Sequence, residues 1–376
     1  MWERPERIAA ISFTAVLLLP LCLLANAFAQ QTQTAATTDS RAADYASLNQ
    51  EVSELERQAS VLKRVVKLVR PTVAHIEVRK GGAASGRRRA ADETGSGVVF
   101  RQHNKFYVLT NRHLIRSADL SEITISLADG RELRPRRKWM DAGTDIAVMA
   151  ISGKRLVAAN FGDSDKLEIG DYVLAIGSPF GLNHSVTFGI VSAKGRRDLE
   201  LSAEGVHYQD FLQIDASINP GSSGGPLVNL RGKVIGINTA IASTSGHNEG
   251  IGFSIPINMA EIIARQLIKY GEVRRGFLGV RLDSNFGATD AERIGLALPR
   301  GARVSSVTEG TPADLAKLKI GDVILQFNGT WIENDSHLVN RVSLTEVGNK
   351  VPMVVYRAGE HLTLNVKLEH RPAWHE

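Results

Sequence analysis

The stretch Asn219-Pro220-Gly221-Ser222-Ser223-Gly224-Gly225-Pro226-Leu227 decides how the rest of this chain is read. Two serines lie among glycines, directly before the apolar run Pro226-Leu227-Val228. A serine hydroxyl is a weak nucleophile that needs a neighbouring base and a preorganised site for developing negative charge. Glycines on either side let the backbone turn tightly and aim its N–H groups at one point. Alone, such a segment is only a Gly/Ser-rich turn between strands. It becomes more if a histidine and a carboxylate stand ready elsewhere.

Candidates for both exist. Acyl transfer by serine requires an imidazole to take the proton and a carboxylate to hold that imidazole's tautomer. Most of the 10 histidines read as surface polar residues. His113 differs, because it follows the strand-like run Tyr107-Val108-Leu109-Thr110, in Thr110-Asn111-Arg112-His113-Leu114. Asp145 heads another apolar run, Ile146-Ala147-Val148, where an acid at a strand end can be buried. A plain turn or strand-start aspartate is the simpler account of the same residue. The order His113, Asp145, serine is one of the known chain orders for such a triad, the one found in chymotrypsin-type double barrels. From the residues alone, Ser222 and Ser223 cannot be told apart.

Bulk properties narrow the class. A chain of 376 residues is too long for one ordinary domain, so two folded units with appendages are expected. With 43% hydrophobic and 23% charged residues, wholesale disorder is excluded. The net charge of +5 is modest. The basic clusters Arg87-Arg88-Arg89 and Arg134-Pro135-Arg136-Arg137-Lys138 carry no interleaved aromatics. They read as solvated loop charge, and no nucleic-acid partner is expected.

The first residues form an address. Arg4 and Arg7 precede an apolar run from Ile8 through Leu24, followed by Ala25-Asn26-Ala27-Phe28-Ala29. That is the pattern of a signal peptide over residues 1–29, cut after Ala29. Because the run approaches spanning length, an uncleaved membrane anchor is the alternative, and either exports the remainder. The single cysteine, Cys22, lies in that run. Beyond it the chain has no thiol for a disulfide, a nucleophile or a Cys-ligated zinc, and no metal or cofactor is expected.

Residues 30–47 are polar and read as a flexible linker. From residue 48 to 70, Leu48, Val52, Leu55, Ala59, Leu62, Val66 and Val69 alternate steps of four and three. This is an a/d seam stopped by Pro71, either one amphipathic helix on the protein's own body or a short oligomerising coiled coil. Residues 71–262 carry short strands at the spacing of an antiparallel sandwich or barrel, with a polar basic loop from Gly81 to Glu93. A helix is expected over Ile257 to Tyr270, ended by Gly271. A second strand-rich unit occupies 272–370.

These motifs together resemble the HtrA/Deg family of exported serine proteases. The family's histidine motif, Thr-Asn-Ala-His-Val, matches Thr110 to Leu114 with departures at Arg112 and Leu114. The acidic motif, Thr-Asp-Ile-Ala-Val, is intact at Thr144 to Val148. The serine motif, Asn-Pro-Gly-Asn-Ser-Gly-Gly, matches Asn219 to Gly225 with Ser222 as its departure. Ala175 to Leu182 and Val186 to Ser192 resemble the activation-loop region, and Gly250 to Pro256 the segment closing the barrel domain. Phe277-Leu278-Gly279-Val280 resembles a PDZ carboxylate-binding loop, with Gly310-Thr311-Pro312-Ala313 and Ile320 to Ile324 as further PDZ matches.

The resemblance implies a mainly β protein: a chymotrypsin-like double six-stranded β-barrel followed by one PDZ domain, a β-sandwich with flanking helices. Its register makes Ser223 the nucleophile, His113 the general base and Asp145 its orienting acid. The oxyanion hole falls to Gly221 and Ser223, with the Ser222 amide nearby. Ile237, Asn238 and Thr239 fall on the specificity wall, where no charge stands to pair with a basic substrate side chain. Residues 196–208 correspond to the sensor loop, and the segment Ser336 to Val342 flanks the peptide groove. Lys317 stands where the family has a glycine of positive φ, at a cost of about 1 kcal/mol if that geometry is kept. The implied function is an ATP-independent endopeptidase for unfolded or damaged exported proteins in protein quality control and the stress response. Its PDZ domain takes peptide C-termini, and the assembly is a homotrimer or a higher multiple. The alternatives are a membrane-anchored, site-specific signalling protease and a catalytically weak PDZ-containing chaperone, the latter prompted by Arg112 beside the histidine.

Overall fold

A computed structural model of the chain describes residues 18–79, 93–178, 185–199, 206–241 and 250–370. The chain divides into two compact units, Met1–Lys63 and Arg64–Glu376. Helix α1 spans Leu18–Val69. The stretch 30–47, expected as a flexible linker, lies inside this helix. No glycine or proline interrupts residues 21–70, and Ala, Gln, Arg, Leu and Glu are strong helix formers, so local propensity carries the helix through. Leu48, Val52 and Leu55 of the heptad seam are exposed along it. Among the described residues no helix is long and apolar enough to cross a membrane. Residues 1–17 of the expected signal peptide, and 80–92 of the expected basic loop, lie outside the described residues.

In the second unit, Val65 and Val69 at the end of α1 are buried, and a short turn at Arg70–Thr72 leads into the sheet. Seven antiparallel strands follow: β1 (Val73–Val78), β2 (Glu93–Gln102), β3 (Lys105–Asn111), β4 (Ile123–Leu127), β5 (Glu132–Leu133), β6 (Arg137–Asp141) and β7 (Ile146–Ile151). Their spatial order is β5-β4-β1-β2-β3-β7-β6. The β2–β3 hairpin turns through His103 and Asn104, both at positive φ, as a two-residue type I′ turn requires. Ile76, Val108, Ile123, Ile125 and Met149 fill the core of this sheet. Between β3 and β4 lies the single-turn helix α2 (Arg112–Ile115).

The next six strands close into a barrel of order β10-β13-β12-β11-β8-β9. They are β8 (Tyr172–Gly177), β9 (Ser185–Arg196), β10 (Phe211–Ile214), β11 (Pro226–Asn229), β12 (Val234–Ile241) and β13 (Gly252–Pro256). Of the two expected six-stranded barrels, this one closes. The first β unit is a seven-stranded sheet, its edge formed by the two-residue β5, which the turn at Gly130 brings against β4. Helix α3 (Ile257–Tyr270) then packs on both, and Gly271, at φ 84, caps it by donating its N–H to the Leu267 carbonyl.

The last domain is built on a sheet of order β15-β16-β17-β19-β20, with β18 on β17. Its strands are β14 (Gly276–Phe277), β15 (Val280–Leu282), β16 (Ala302–Val307), β17 (Val323–Phe327), β18 (Thr330–Trp331), β19 (Lys350–Arg357), β20 (Glu360–Lys367) and β21 (Glu369–His370). Helices α4 (Ala288–Arg293), α5 (Pro312–Leu315) and α6 (Asp335–Leu344) flank it over a core of Leu278, Val304, Ile324, Phe327, Leu338 and Met353. Lys317 keeps the left-handed geometry, at φ 61, just after α5. The Arg357 guanidinium donates to its carbonyl.

Polar contacts join this domain to the β10 side of the barrel. Arg197 bridges Asp210 at 2.5 Å and Glu333 at 2.7 Å, with its side chain only 6% exposed. The Ser336 hydroxyl donates to Asp198 and the Asn340 amide to the Gln209 carbonyl. His337 sits buried behind them, and that burial, reinforced by the Arg197 charge, holds its imidazole below the ordinary 6.5 despite Asp210 and Glu333. Burial works to raise the Glu333 carboxyl, but the hydrogen bond and charge of Arg197 outweigh it and hold the group low.

Two outcomes follow from these placements. Lys317→Gly relieves a left-handed lysine and should raise stability in urea unfolding by about 0.5–1 kcal/mol. For His337 the unfolded chain takes up the proton first, so stability is full above 6.5 and is lost as pH falls from there towards the lowered folded value. Glu333 adds a loss of the same sign below its ordinary 4.5. Thermal unfolding against pH should show the melting temperature falling from 6.5 downward, and His337→Gln should flatten the upper part of that fall.

Candidate active site

The site begins with strand pairing. In the β3–β7 ladder Asn111 faces Ile146, so the end of β3 lies beside the start of β7. The chain leaves β3 into α2, which carries His113, and enters β7 from Asp145. Two residues 32 apart in sequence therefore meet. Asp145 adopts φ 59, a left-handed conformation that aspartate tolerates better than most residues. That conformation turns its carboxylate inward, where it is almost fully buried.

The carboxylate is fully engaged. Its Oδ1 accepts the His113 backbone N–H at 2.9 Å. Its Oδ2 accepts from His113 Nδ1 at 2.7 Å and from the Thr239 hydroxyl at 3.1 Å. With Nδ1–H given to the acid, the lone pair of a neutral imidazole lies on Nε2, the state a general base needs. Asn111 supports the arrangement from behind, donating Nδ2 to the Thr239 hydroxyl at 3.1 Å and to the Asp145 carbonyl at 3.3 Å. Among the described residues the Arg112 side chain has no ion pair or hydrogen bond with the imidazole.

One strand residue further back, a second clamp holds the turn before Asp145. The Thr144 hydroxyl donates to Asp141 Oδ2 at 2.6 Å, and Arg275 donates to both oxygens of Asp141 at 2.9 and 2.7 Å. Arg275 also lies over the Tyr208 ring, while the Gly143 carbonyl accepts the Tyr208 N–H. The acid's turn is thus gripped by the connector to the last domain and by the segment before β10.

The serine loop comes from the closed barrel. Ser222 is buried with its side chain against Gly177 of β8, where a Cβ would meet the Ser222 Oγ at 2.9 Å. Ser223 is partly exposed, and its hydroxyl donates to the Thr239 carbonyl at 3.4 Å. Burial thus separates the two serines, which the residues alone could not. Among the described residues this long bond, not one to His113 Nε2, is the hydroxyl's contact. Gly224, at φ 80, crosses so close to β2 that a Cβ would meet the Ser96 carbonyl at 2.2 Å.

The backbone amides of this loop divide cleanly. Ser222 N–H donates to the Asn219 carbonyl at 2.8 Å, Gly224 N–H to Asn238 at 2.8 Å, and Gly225 N–H to Ser222 at 3.0 Å. Among the described residues the Gly221 and Ser223 amides have no backbone acceptor. The Ser222 amide, expected near the oxyanion, is therefore already committed. Ile237, Asn238 and Thr239, expected on the specificity wall, lie on β12. Ile237 is fully buried in the barrel and Asn238 pins the serine loop through its backbone, its side chain bonded to Ser254 and Pro226. Thr239 turns its hydroxyl to the acid.

In the last domain, the Leu278 and Gly279 carbonyls accept from Ala313 N–H at 2.8 Å and Thr308 N–H at 2.9 Å. Gly279 is at φ 84, and a Cβ there would meet the Thr311 hydroxyl at 2.2 Å. Phe277 pairs with Glu369 and Val280 with Val307. This leaves β15 at the edge of its sheet among the described residues, an arrangement that suits strand addition by a peptide.

Residues 95–237 match the trypsin-like peptidase domain family and residues 276–368 the PDZ domain family. The solved structure of the HtrA-type protease AlgW with a tripeptide shares 38% identity and a TM-score of 0.63, covering 82% of this chain and 96% of that one. This chain belongs to the HtrA-type protease family. Among curated relatives, the periplasmic pH-dependent serine endoprotease DegQ of Escherichia coli is 44% identical over 73% of this chain and 59% of its own length. A probable periplasmic DegP-like serine endoprotease of Chlamydia muridarum is 43% identical over 74% of this chain and 54% of its own. The chain therefore spans little more than half the length of these relatives.

Sequence reasoning missed the parts played by Asn111, Ser96, Asp141 and Arg275. Asn111 stands inside the histidine motif, but its bonds to Thr239 and Asp145, like those of Ser96 to Gly221 and of Asp141 to Arg275, join segments far apart in sequence. Thr239→Val removes one hydrogen bond from a buried carboxylate, worth about 1.5–3 kcal/mol. Hydrolysis of a fluorogenic peptide should slow by about 10–100-fold, with KM little changed.

Proposed function

We propose that the protein is an ATP-independent serine endopeptidase. Ser223 attacks the peptide carbonyl, His113 takes its proton and returns it to the leaving amine, and Asp145 stays ionised to hold the imidazole. The Gly221 and Ser223 amides receive the oxyanion. The observation that carries this reading is the His113–Asp145 pair at 2.7 Å together with two undonated amides flanking a partly exposed serine. From its 3.4 Å contact with the Thr239 carbonyl, the Ser223 hydroxyl needs only a rotation about its Cα–Cβ bond to turn elsewhere.

The proposal extends to setting. The periplasmic names of the relatives and the signal-like residues 1–29 support export of the chain to the periplasm of a bacterium. Unfolded or damaged exported proteins are the substrates, and the PDZ domain takes their C-termini at the Leu278–Gly279 loop beside the β15 edge. The exposed seam of Leu48, Val52 and Leu55 supports assembly into a homotrimer or a higher multiple.

A second reading, a catalytically weak chaperone, draws on the same Ser223–Thr239 contact as a resting state away from the imidazole. Cleavage of casein by the full chain, beside its Ser223→Ala variant, separates the two. The variant should lose about a millionfold in rate, and a serine-directed phosphonate should label the wild type alone, at Ser223. Equal and negligible cleavage by both proteins sinks the protease reading.

A further inference from the structure

We propose that Ser96 is a positioning residue for the oxyanion site, setting the direction of the Gly221 and Ser223 amides. The proposal rests on the reading of Ser223 as nucleophile. Ser96 lies in β2 of the first sheet, is fully buried, and touches no reacting atom. Its hydroxyl and its backbone N–H both reach outside its own sheet. Its hydroxyl donates to the Gly221 carbonyl at 2.6 Å and accepts the Ser178 N–H at 2.8 Å. Its N–H donates to the Ser223 carbonyl at 2.8 Å, and its carbonyl accepts the Thr110 hydroxyl at 2.7 Å.

A trans peptide is planar, so its C=O and the following N–H point opposite ways and move together. In the Gly221–Ser222 plane, Ser96 holds the carbonyl and Asn219 holds the N–H. In the Ser223–Gly224 plane, Ser96 again holds the carbonyl and Asn238 holds the N–H. Two alternate planes of the loop are thus each fixed at both ends, and Ser96 supplies one end of both. The Ser222–Ser223 plane is caught between them, its carbonyl held by Gly225 N–H, and its free Ser223 N–H can point only away from that bond.

Gly221 is the soft joint. At φ 94 it occupies a region that only glycine enters cheaply, and glycine leaves it as easily. Without a donor on its carbonyl, the adjoining planes can rotate and carry the Gly221 N–H off the oxyanion. The hydroxyl of Ser96 removes that freedom. Ser178 and His75 extend the support, since Ser178 N–H bonds Ser96 Oγ and the Ser178 carbonyl accepts from His75 Nδ1 at 2.6 Å.

The test compares the full chain with Ser96→Ala, with Ser223→Ala, and with Ser164→Ala as a buried serine remote from the site. Kinetics use a fluorogenic peptide, and binding uses a tripeptide boronate beside the same tripeptide as its free acid. The boronate's tetrahedral adduct places an oxygen on the two amides, whereas the acid need not. Ser96→Ala should lower kcat by about 100-fold and weaken the boronate comparably, the effect expected of one lost oxyanion donor. KM, tripeptide-acid affinity and near-ultraviolet circular dichroism should stay near wild type, and Ser164→Ala should behave as wild type throughout. If Ser96→Ala loses its folded signature, Ser96→Cys, close in size but a weak donor, is read the same way. Unchanged kcat, or a parallel loss of boronate and acid binding, overturns the positioning role. Equal activity of wild type and Ser223→Ala instead overturns the protease reading itself.

Discussion

The seam at which the serine loop is pressed between the first sheet and the closed barrel sets where Ser223 stands. Gly224 passes within a Cβ's width of the Ser96 carbonyl, and the backbone of Asn238 on β12 holds Gly224 and Gly225 from the other side. Nothing larger than hydrogen fits at Gly224 without moving backbone. Ser223 is therefore located by contacts from two separate β units, each a rigid ladder. A loop fixed by only one of them would be free to turn its amides, because its glycines resist no rotation of their own.

His113 and Asp145 answer to a different constraint, the β3–β7 ladder, which brings the two side chains together. The barrel's contribution arrives through Thr239, whose hydroxyl completes the carboxylate and whose carbonyl receives the serine. One residue of β12 thereby touches both halves of the site. The clamp of Arg275 on Asp141 carries the same logic outward, tying the turn of the acid to the connector of the PDZ domain. Arg197, with bonds to Asp210 and Glu333, makes a second bridge between these domains on the side of β10.

Much of the architecture was legible in the residues. Alternating apolar runs marked β1, β3, β4 and β7, and the Gly271 cap of α3 was readable as a left-handed stop. Lys317 kept the left-handed turn despite its side chain, because Leu318 N–H bonds to Ala313 and Arg357 holds the Lys317 carbonyl. The polar stretch before the heptads misled. Polarity does not by itself mean flexibility, and an unbroken run without glycine or proline is enough for helix. At the site, His113, Asp145 and the serine pair stand out in the sequence because each belongs to a local motif. Which face of β12 meets Asp145 is not marked in its residues, because it depends on how β12 is docked.

By itself the sequence determined which groups are present: a glycine-flanked serine pair, a histidine after one strand, an acid before another, and a loop with glycine at its left-handed position. Such choices are written locally, in φ preferences and strand periodicity. Tertiary structure alone decided which serine is exposed, that the Ser222 amide is spent on Asn219, and that Ser96 reaches two carbonyls of the loop. Those outcomes depend on distances between chain segments far apart in sequence. Hydrogen bonds form over only about 3 Å, so only the packed molecule says which donors and acceptors fall within that reach.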